Sequence, residues 1–271
     1  MVTAQLLTPI LRTSLVAFVL LVIVIPATLR LGSSTPLGSD SMRGMLTRLK
    51  DLGRLAASGN LAKTWWALAY RAHSDSISIG LRRDLTIQFT GPTAKIPLKV
   101  RPLAPSDDLS ALDSSPGLSA DEPFWRLGQR RLLGSGLQTC YVAIAPDGKP
   151  CYMQWVIPAS QNERLKAFFG NLYPVLGPEE ALLEGAYTPE AYRGKGIMGA
   201  AMAEVATRAA EHGARWVITF VDRENEASFK GCIRAGFAPY LQRQERFRWF
   251  RRQVTFTPLP STEMGAGPLR S

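Results

Sequence analysis

The sequence predicts an α+β fold: a mixed central sheet flanked by helices, preceded by an apolar N-terminal segment and basic amphipathic helices. Three observations carry this reading. From about residue 96 onward, strand-like and helix-like runs are interspersed and include hairpins. A glycine- and arginine-rich turn, Tyr192-Arg193-Gly194-Lys195-Gly196-Ile197-Met198-Gly199, joins a strand-like run to a helix-like one. Near the start of the chain, Thr13 to Leu29 is a run of seventeen residues without a charge.

That run is close to the shortest helix that spans a bilayer. The alternatives are a cleaved signal peptide and a buried core helix, but no small-x-small cleavage site follows the apolar core; Pro26-Ala27-Thr28 is the nearest. Arg12 precedes the run, whereas Arg30, Arg43, Arg48 and Lys50 follow it. The positive excess predicts that the C-terminal side lies in the cytoplasm. Ser41 to Ala57 then spaces Met42, Met45, Leu46, Leu49, Leu52 and Leu55 as one helical face against Arg43, Arg48, Lys50 and Arg54. Asn60 to Ala72 carries Trp65, Trp66, Leu68 and Tyr70 with Lys63 and Arg71. Basic helices with Trp suit a membrane interface, or pack on the following domain with solvated basic faces. Gly80 to Ile87 reads as a turn into a strand, and Gly91-Pro92-Thr93 as a linker.

The expected organisation is therefore an anchor or signal-like segment at 1–31, a basic linker and helical region at 32–94, a catalytic domain at 95–257 and a tail at 258–271. Within the domain, strands are expected at about 96–102, 137–145, 150–157, 181–188, 214–221, 237–242 and 245–256. Helices are expected at about 106–113, 121–133, 161–169, 197–212 and 225–235. A hairpin turn near Asp147-Gly148 would place Cys140 opposite Trp155 and Cys151 opposite Ile144.

Composition narrows the function classes. The 271 residues are 46% hydrophobic and 20% charged, as in a globular protein rather than a disordered one. Of the net charge of +10, the stretch from Arg30 to Arg101 contributes +8, with twelve Lys/Arg against four Asp/Glu. Such a stretch suits an anionic surface. Its charges interleave with apolar stripes and no nucleic-acid motif accompanies them, so a membrane fits better than nucleic acid. Cys140, Cys151 and Cys232 form no metal-ligand or disulfide pattern. With only His73 and His212, a histidine metal site or a Ser-His-Asp triad is not expected, and no metal is called for.

The turn at 192–199 has the chemistry of a phosphate cradle. Its glycines let the backbone approach a ligand, the unpaired amides of the first helical turn point at it, and the helix dipole favours an anion there. Arg193 and Lys195 add positive charge. It is not a nucleotide P-loop, because Gly196 follows Lys195, and it lacks the dinucleotide Gly-x-Gly-x-x-Gly pattern with its later acid.

Arg193-x-x-Gly196, after a strand ending Tyr187-Thr188-Pro189-Glu190, resembles the Arg/Gln-x-x-Gly-x-Gly/Ala signature of the GNAT acetyltransferase superfamily. Downstream, Asn225-Glu226-Ala227-Ser228 followed by Ala235-Gly236-Phe237 resembles its second signature. Upstream, Leu98 to Leu103 with Ser106-Asp107-Asp108-Leu109 resembles its first strand and capped helix. The resemblance covers roughly 96–256. It departs at Met198, where the family usually has Gly or Ala, and at Cys232, where many members have a tyrosine that protonates the leaving thiolate.

The resemblance implies a sheet that splays beside the cradle and acetyl-CoA as acyl donor. Its pyrophosphate would lie on amides from Gly194 through Lys195, Gly196, Ile197 and Met198 to Gly199, with Arg193 and Lys195 as charge partners. Its pantetheine arm would pair with Ala186, Tyr187 and Thr188. Asn225 is a cofactor contact or a helix N-cap. Glu184, an acid in an apolar strand, is the candidate base; otherwise it is an edge residue or half of an ion pair. Tyr187 is the candidate stand-in acid, with Tyr192 beside it, and Cys232 is a core residue or a weak thiol donor. The expected activity is a membrane-associated N-acetyltransferase with its domain on the cytoplasmic side, acting on a primary amine such as an amino sugar or envelope precursor. The alternatives are a longer acyl-CoA or soluble amine, and a catalytically impaired binding or scaffold module.

Overall fold

The computed structural model describes residues 69–113 and 122–259, all within one compact unit. The expected anchor, the amphipathic runs up to residue 68 and the end of the tail lie outside the described residues. Among the described residues no helix is long and apolar enough to cross a membrane.

The strands are β1 His73–Asp84, β2 Lys99–Pro102, β3 Cys140–Ile144, β4 Pro150–Pro158, β5 Glu180–Tyr187, β6 Trp216–Asp222, β7 Ala238–Arg248 and β8 Arg251–Pro258. The helices are α1 Glu122–Leu133, α2 Asn162–Phe169, α3 Ile197–Arg208 and α4 Glu226–Arg234. One 8-stranded sheet runs β2-β3-β4-β5-β6-β1-β7-β8. Every pairing is antiparallel except β5 with β6.

Period-2 alternation divides the buried residues between the two faces. Leu81, Leu183 and Val217 share a cluster with Met202 and Val205 of α3 and Phe229 of α4. Leu182, Trp155 and Ile218 share another with Leu132 of α1 and Leu165 of α2. Each fully buried Leu or Ile contributes on the order of 1.5–3 kcal/mol, so this two-sided core holds the central strands in register.

The parallel β5–β6 ladder is short. Glu180, Ala181 and Leu182 pair with Trp216, Val217 and Ile218. Beyond that point β5 stays with β4 as far as Tyr187, while β6 follows β1 as far as Asp222. The two strands part, so the splay expected from the resemblance is present. Between Glu184 and Tyr187, β5 has one residue more than β4 opposite it. Gly185 takes φ +67° in this bulge, where a Cβ would lie 2.6 Å from Leu132 Cδ1.

Three expectations need correction. Gly80 to Ile87 is not a turn into a strand: β1 begins at His73 and the turn follows it, at 85–87. Residues 73–84 therefore belong to the sheet, between β6 and β7, rather than to the linker expected at 32–94. The charges of Arg82 and Arg83 hid this strand. Arg83 is buried and donates from Nη1 to the carbonyls of Ala203 and Ala235 at 3.0 and 3.1 Å. Arg82 lies over the rings of Trp216 and Tyr240. Where a helix was expected at 106–113, the chain makes only a 3-10 turn, Ser110–Leu112. Cys140 does face Trp155, but Ile144 faces Pro150 and Ala143 faces Tyr152. Cys151 is the extra residue of a bulge, its thiol donating to the Ala143 carbonyl at 3.2 Å.

Candidate active site

The cradle forms where β5 has left β6. Gly194 and Gly196 both take φ +74°, the left-handed region open to glycine at little cost. Gly196 is the N-cap of α3 and no side chain caps that helix. The first turn, Ile197, Met198 and Gly199, therefore presents its amides outward, at the positive end of a 12-residue helix. This is the local geometry that binds phosphate oxygens.

A cleft of about 610 Å³ opens over these amides. It is bounded by Ala186, Tyr187 and Thr188 at the end of β5, by Arg193 and Gly194, by Gly196 to Gly199, and by Asn225 at the start of α4. All but one of the residues expected to hold the donor are thus brought together. The exception is Lys195, whose ammonium donates to the Ala191 carbonyl at 3.2 Å and lies 5.1 Å from the Tyr192 ring centroid. Met198 is accommodated by a glycine opposite it: a Cβ on Gly231 would lie 3.0 Å from Met198 Sδ.

Arg193 is not a loose cation. Its Nη2 meets Glu122 Oε2 at 2.5 Å and its Nε donates to the Thr188 carbonyl at 3.0 Å. Glu122, at the start of α1, is only 1% exposed. It also accepts from Tyr187 Oη at 2.5 Å and from Arg126 Nε at 3.1 Å. Burial alone would raise the Glu122 carboxyl, but these donors outweigh it and hold the group below its ordinary value. The network fixes Arg193 and the backbone it bonds, so the guanidinium frames the cradle with part of its charge already matched.

The same network bears on Tyr187. Its hydroxyl proton is directed at Glu122, and burial, together with that bond, pushes it up to about 12. Tyr192 donates to Asp147 of the β3–β4 turn, and this bond, with burial, also pushes its hydroxyl up to about 12. Neither hydroxyl is presented to the cleft as a free proton donor. Cys232 is fully buried in α4, and burial drives its thiol to about 12; it is a core residue. Asn225 caps α4 by accepting from the Ser228 amide at 3.0 Å, and it also borders the cleft.

Glu184 lies on β5 beyond the cleft-lining residues and before the bulge. Its carboxylate accepts from Tyr173 Oη at 2.5 Å. Arg243 of β7 stands nearby, with its guanidinium 5.3 Å from the Tyr173 ring and 4.8 Å from the Phe220 ring. Burial raises the Glu184 carboxyl, and the Tyr173 bond and the Arg243 charge oppose that rise without cancelling it. A carboxylate raised by burial yet oriented by a donor is suited to taking a proton. Among the described residues no His, Cys, Asp and Glu cluster could hold a metal ion.

Sequence reasoning missed Glu122, Tyr173 and Arg243. Glu122 directly follows a segment outside the described residues, and nothing local marks it. Tyr173 lies in an irregular stretch after α2, and Arg243 in a strand with no apolar alternation.

A sheet whose strands part beside an uncapped helix N-terminus forms a cleft suited to an anionic ligand. Residues 129–237 match the model of the acetyltransferase (GNAT) family, and the chain carries a GNAT acetyltransferase domain. No curated protein matches it in sequence. Similar solved structures include a GNAT-family acetyltransferase from Colwellia psychrerythraea, at 15% identity and TM-score 0.39 over 72% of this chain and 61% of that one. Another, from Sphaerobacter thermophilus, is a GCN5-related N-acetyltransferase at 16% identity and TM-score 0.38 over 69% and 57%. A third is the glucosamine N-acetyltransferase region of a fungal multi-domain GH3 β-N-acetylglucosaminidase, at 14% identity and TM-score 0.44 over 69% and 22%. The chain spans less than two thirds of the length of each.

Proposed function

We propose that the protein is a membrane-associated N-acetyltransferase that transfers an acetyl group from acetyl-CoA to a primary amine. The observation that carries this is the cleft at the parted strands. Its amides at 197–199 and its open β5 edge at 186–188 suit the two ends of a pyrophosphate-bearing thioester. Bound there, acetyl-CoA supplies the activated acetyl group.

The chain's own part is binding, alignment and proton transfer. The amine nitrogen attacks the thioester carbonyl, the carbon–sulfur bond breaks, and the proton lost from nitrogen passes to Glu184. Tyr173 orients that carboxylate. The thiolate takes its proton from water, since Tyr187, Tyr192 and Cys232 have theirs committed or buried. Membrane attachment is supported by the uncharged run from Thr13 to Leu29 and the basic residues after it, which favour the cytoplasmic side for the domain.

Thiol release with acetyl-CoA and a panel of amines, amino sugars included, tests the chemistry. Release that depends on an amine is expected. Binding of acetyl-CoA without release would favour a scaffold module, and faster release with longer acyl-CoA donors would change the donor. Loss of membrane fractionation on deleting residues 1–35 tests the attachment.

A further inference from the structure

The β7–β8 hairpin ends in an exposed aromatic tip that the catalytic reading leaves unused. Trp249 and Phe250 form its two-residue turn, with φ of 50° and 64°. Side chains other than Gly, Asn and Asp rarely take this conformation, and Asn-Gly is the usual choice. The chain keeps two bulky apolar residues here against that steric cost. Trp249 is 86% exposed and Phe250 41%, so neither is held by core packing.

The turn is nevertheless firmly placed. The Trp249 amide donates to the Ala72 carbonyl at 2.8 Å and the Phe250 amide to the Arg71 carbonyl at 2.9 Å. The Tyr70 and Phe247 rings meet at 5.8 Å. These bonds fix the backbone and leave the two side chains pointing away from it. Around the tip, residues 71–76 and 246–252 hold five arginines against Asp75, a net charge of +4. Asp75 is shared by Arg246 and Arg248 at 3.0 and 2.5 Å, and Arg251 next to the tip is exposed.

Arg71 and Ala72, whose carbonyls hold the tip, follow closely in sequence on the first 68 residues of the chain. Those residues include Trp65, Trp66 and the uncharged run from Thr13 to Leu29. An aromatic tip ringed by arginine matches the interface of an anionic bilayer, where Trp settles at headgroup depth and basic side chains gain from the surface potential.

The geometry points to the β7–β8 hairpin as a second membrane contact: Trp249 and Phe250 enter the interface of an anionic bilayer, and the flanking arginines meet its headgroups. This rests on the membrane reading above and adds a surface within the catalytic domain to it. The contact would set the orientation of the domain on the membrane.

The test uses the full chain with phosphatidylcholine vesicles, with and without phosphatidylglycerol, carrying brominated acyl chains. The emission of Trp249 is taken as the difference between the wild type and Trp249→Phe, which keeps an aromatic ring at the tip. With phosphatidylglycerol, that difference is expected to shift to the blue and to lose most of its intensity, with a smaller loss without it. If the chain floats with the vesicles but Trp249 is unquenched, the membrane reading stands and the hairpin contact is overturned. If the chain binds neither vesicle, the membrane reading fails and the hairpin contact fails with it. If Trp249→Ser with Phe250→Ser turns a dimer into a monomer while Trp249 is unquenched, the tip is a contact between copies and the proposal is overturned.

Discussion

The two sides of the parted sheet are built differently. The donor side is made mostly of backbone: left-handed glycines at 194 and 196, the first-turn amides of α3 and the free edge of β5. Its elements are adjacent in sequence, apart from Asn225 and the buried Glu122 that braces Arg193. The other side is made of side chains from three separate places. Glu184 comes from β5, Tyr173 from the stretch after α2, and Arg243 from β7. On the proposed reading, backbone geometry would serve a cofactor whose phosphates do not change, whereas side chains gathered from afar could be altered one at a time to suit an acceptor.

The largest effect that would break this comparison is at Gly196. Val there would have to hold φ +74°, at a cost of about 1–3 kcal/mol, or rebuild the turn that aims the amides. Gly196→Val is expected to abolish acetyl-CoA binding measured by calorimetry, while circular dichroism shows the sheet intact. Unchanged binding would mean that the cradle is not the donor site.

Glu184→Gln sharpens the other side. A base contributes about 10²- to 10⁴-fold, so kcat is expected to fall by that order with little change in the KM for acetyl-CoA. In the wild type, the rate should fall as the pH drops through the raised pKa of Glu184, above the ordinary 4.5. Stability moves the opposite way. A carboxyl whose pKa is higher folded than unfolded binds its proton better in the native state, so its contribution is present at low pH and declines as pH rises through that window. Glu184→Gln should therefore melt higher than the wild type at neutral pH while working more slowly. A normal rate across pH would remove Glu184 as the base.

The same contrast explains what was legible in the sequence. The strand, glycine turn and helix from Ala181 to Arg208 announce themselves because turn chemistry and periodicity are local. Glu184 stood out because an acid among Leu182, Leu183 and Ala186 needs a reason. Its partners did not stand out, because nothing near Tyr173 or Arg243 in sequence records which strand they meet. Glu122 was hidden likewise: Arg126 lies one turn along its own helix, but Tyr187 at the end of β5 and Arg193 in the cradle turn reach it only through the fold. In β1, Arg82 and Arg83 disguised a core strand as a basic linker, because their partners are distant rings and the carbonyls of Ala203 in α3 and Ala235 after α4.

The smallest expected effect addresses the one side chain that could belong to both kinds of construction. Asn225 caps α4 through its carbonyl oxygen and also borders the cleft. Asn225→Ala removes the cap and should cost about 1 kcal/mol, read as a lower melting temperature. Asn225→Ser restores a capping oxygen but not the amide NH2 group. If the residue only caps, Ser recovers both the melting temperature and the KM for acetyl-CoA. If its NH2 group also meets the donor, Ser recovers the melting temperature while the KM stays raised, and this second result is expected from its place at the cleft. Full recovery of both would remove Asn225 as a donor contact, and the contrast between a backbone-built site and a side-chain-built one would be sharper still.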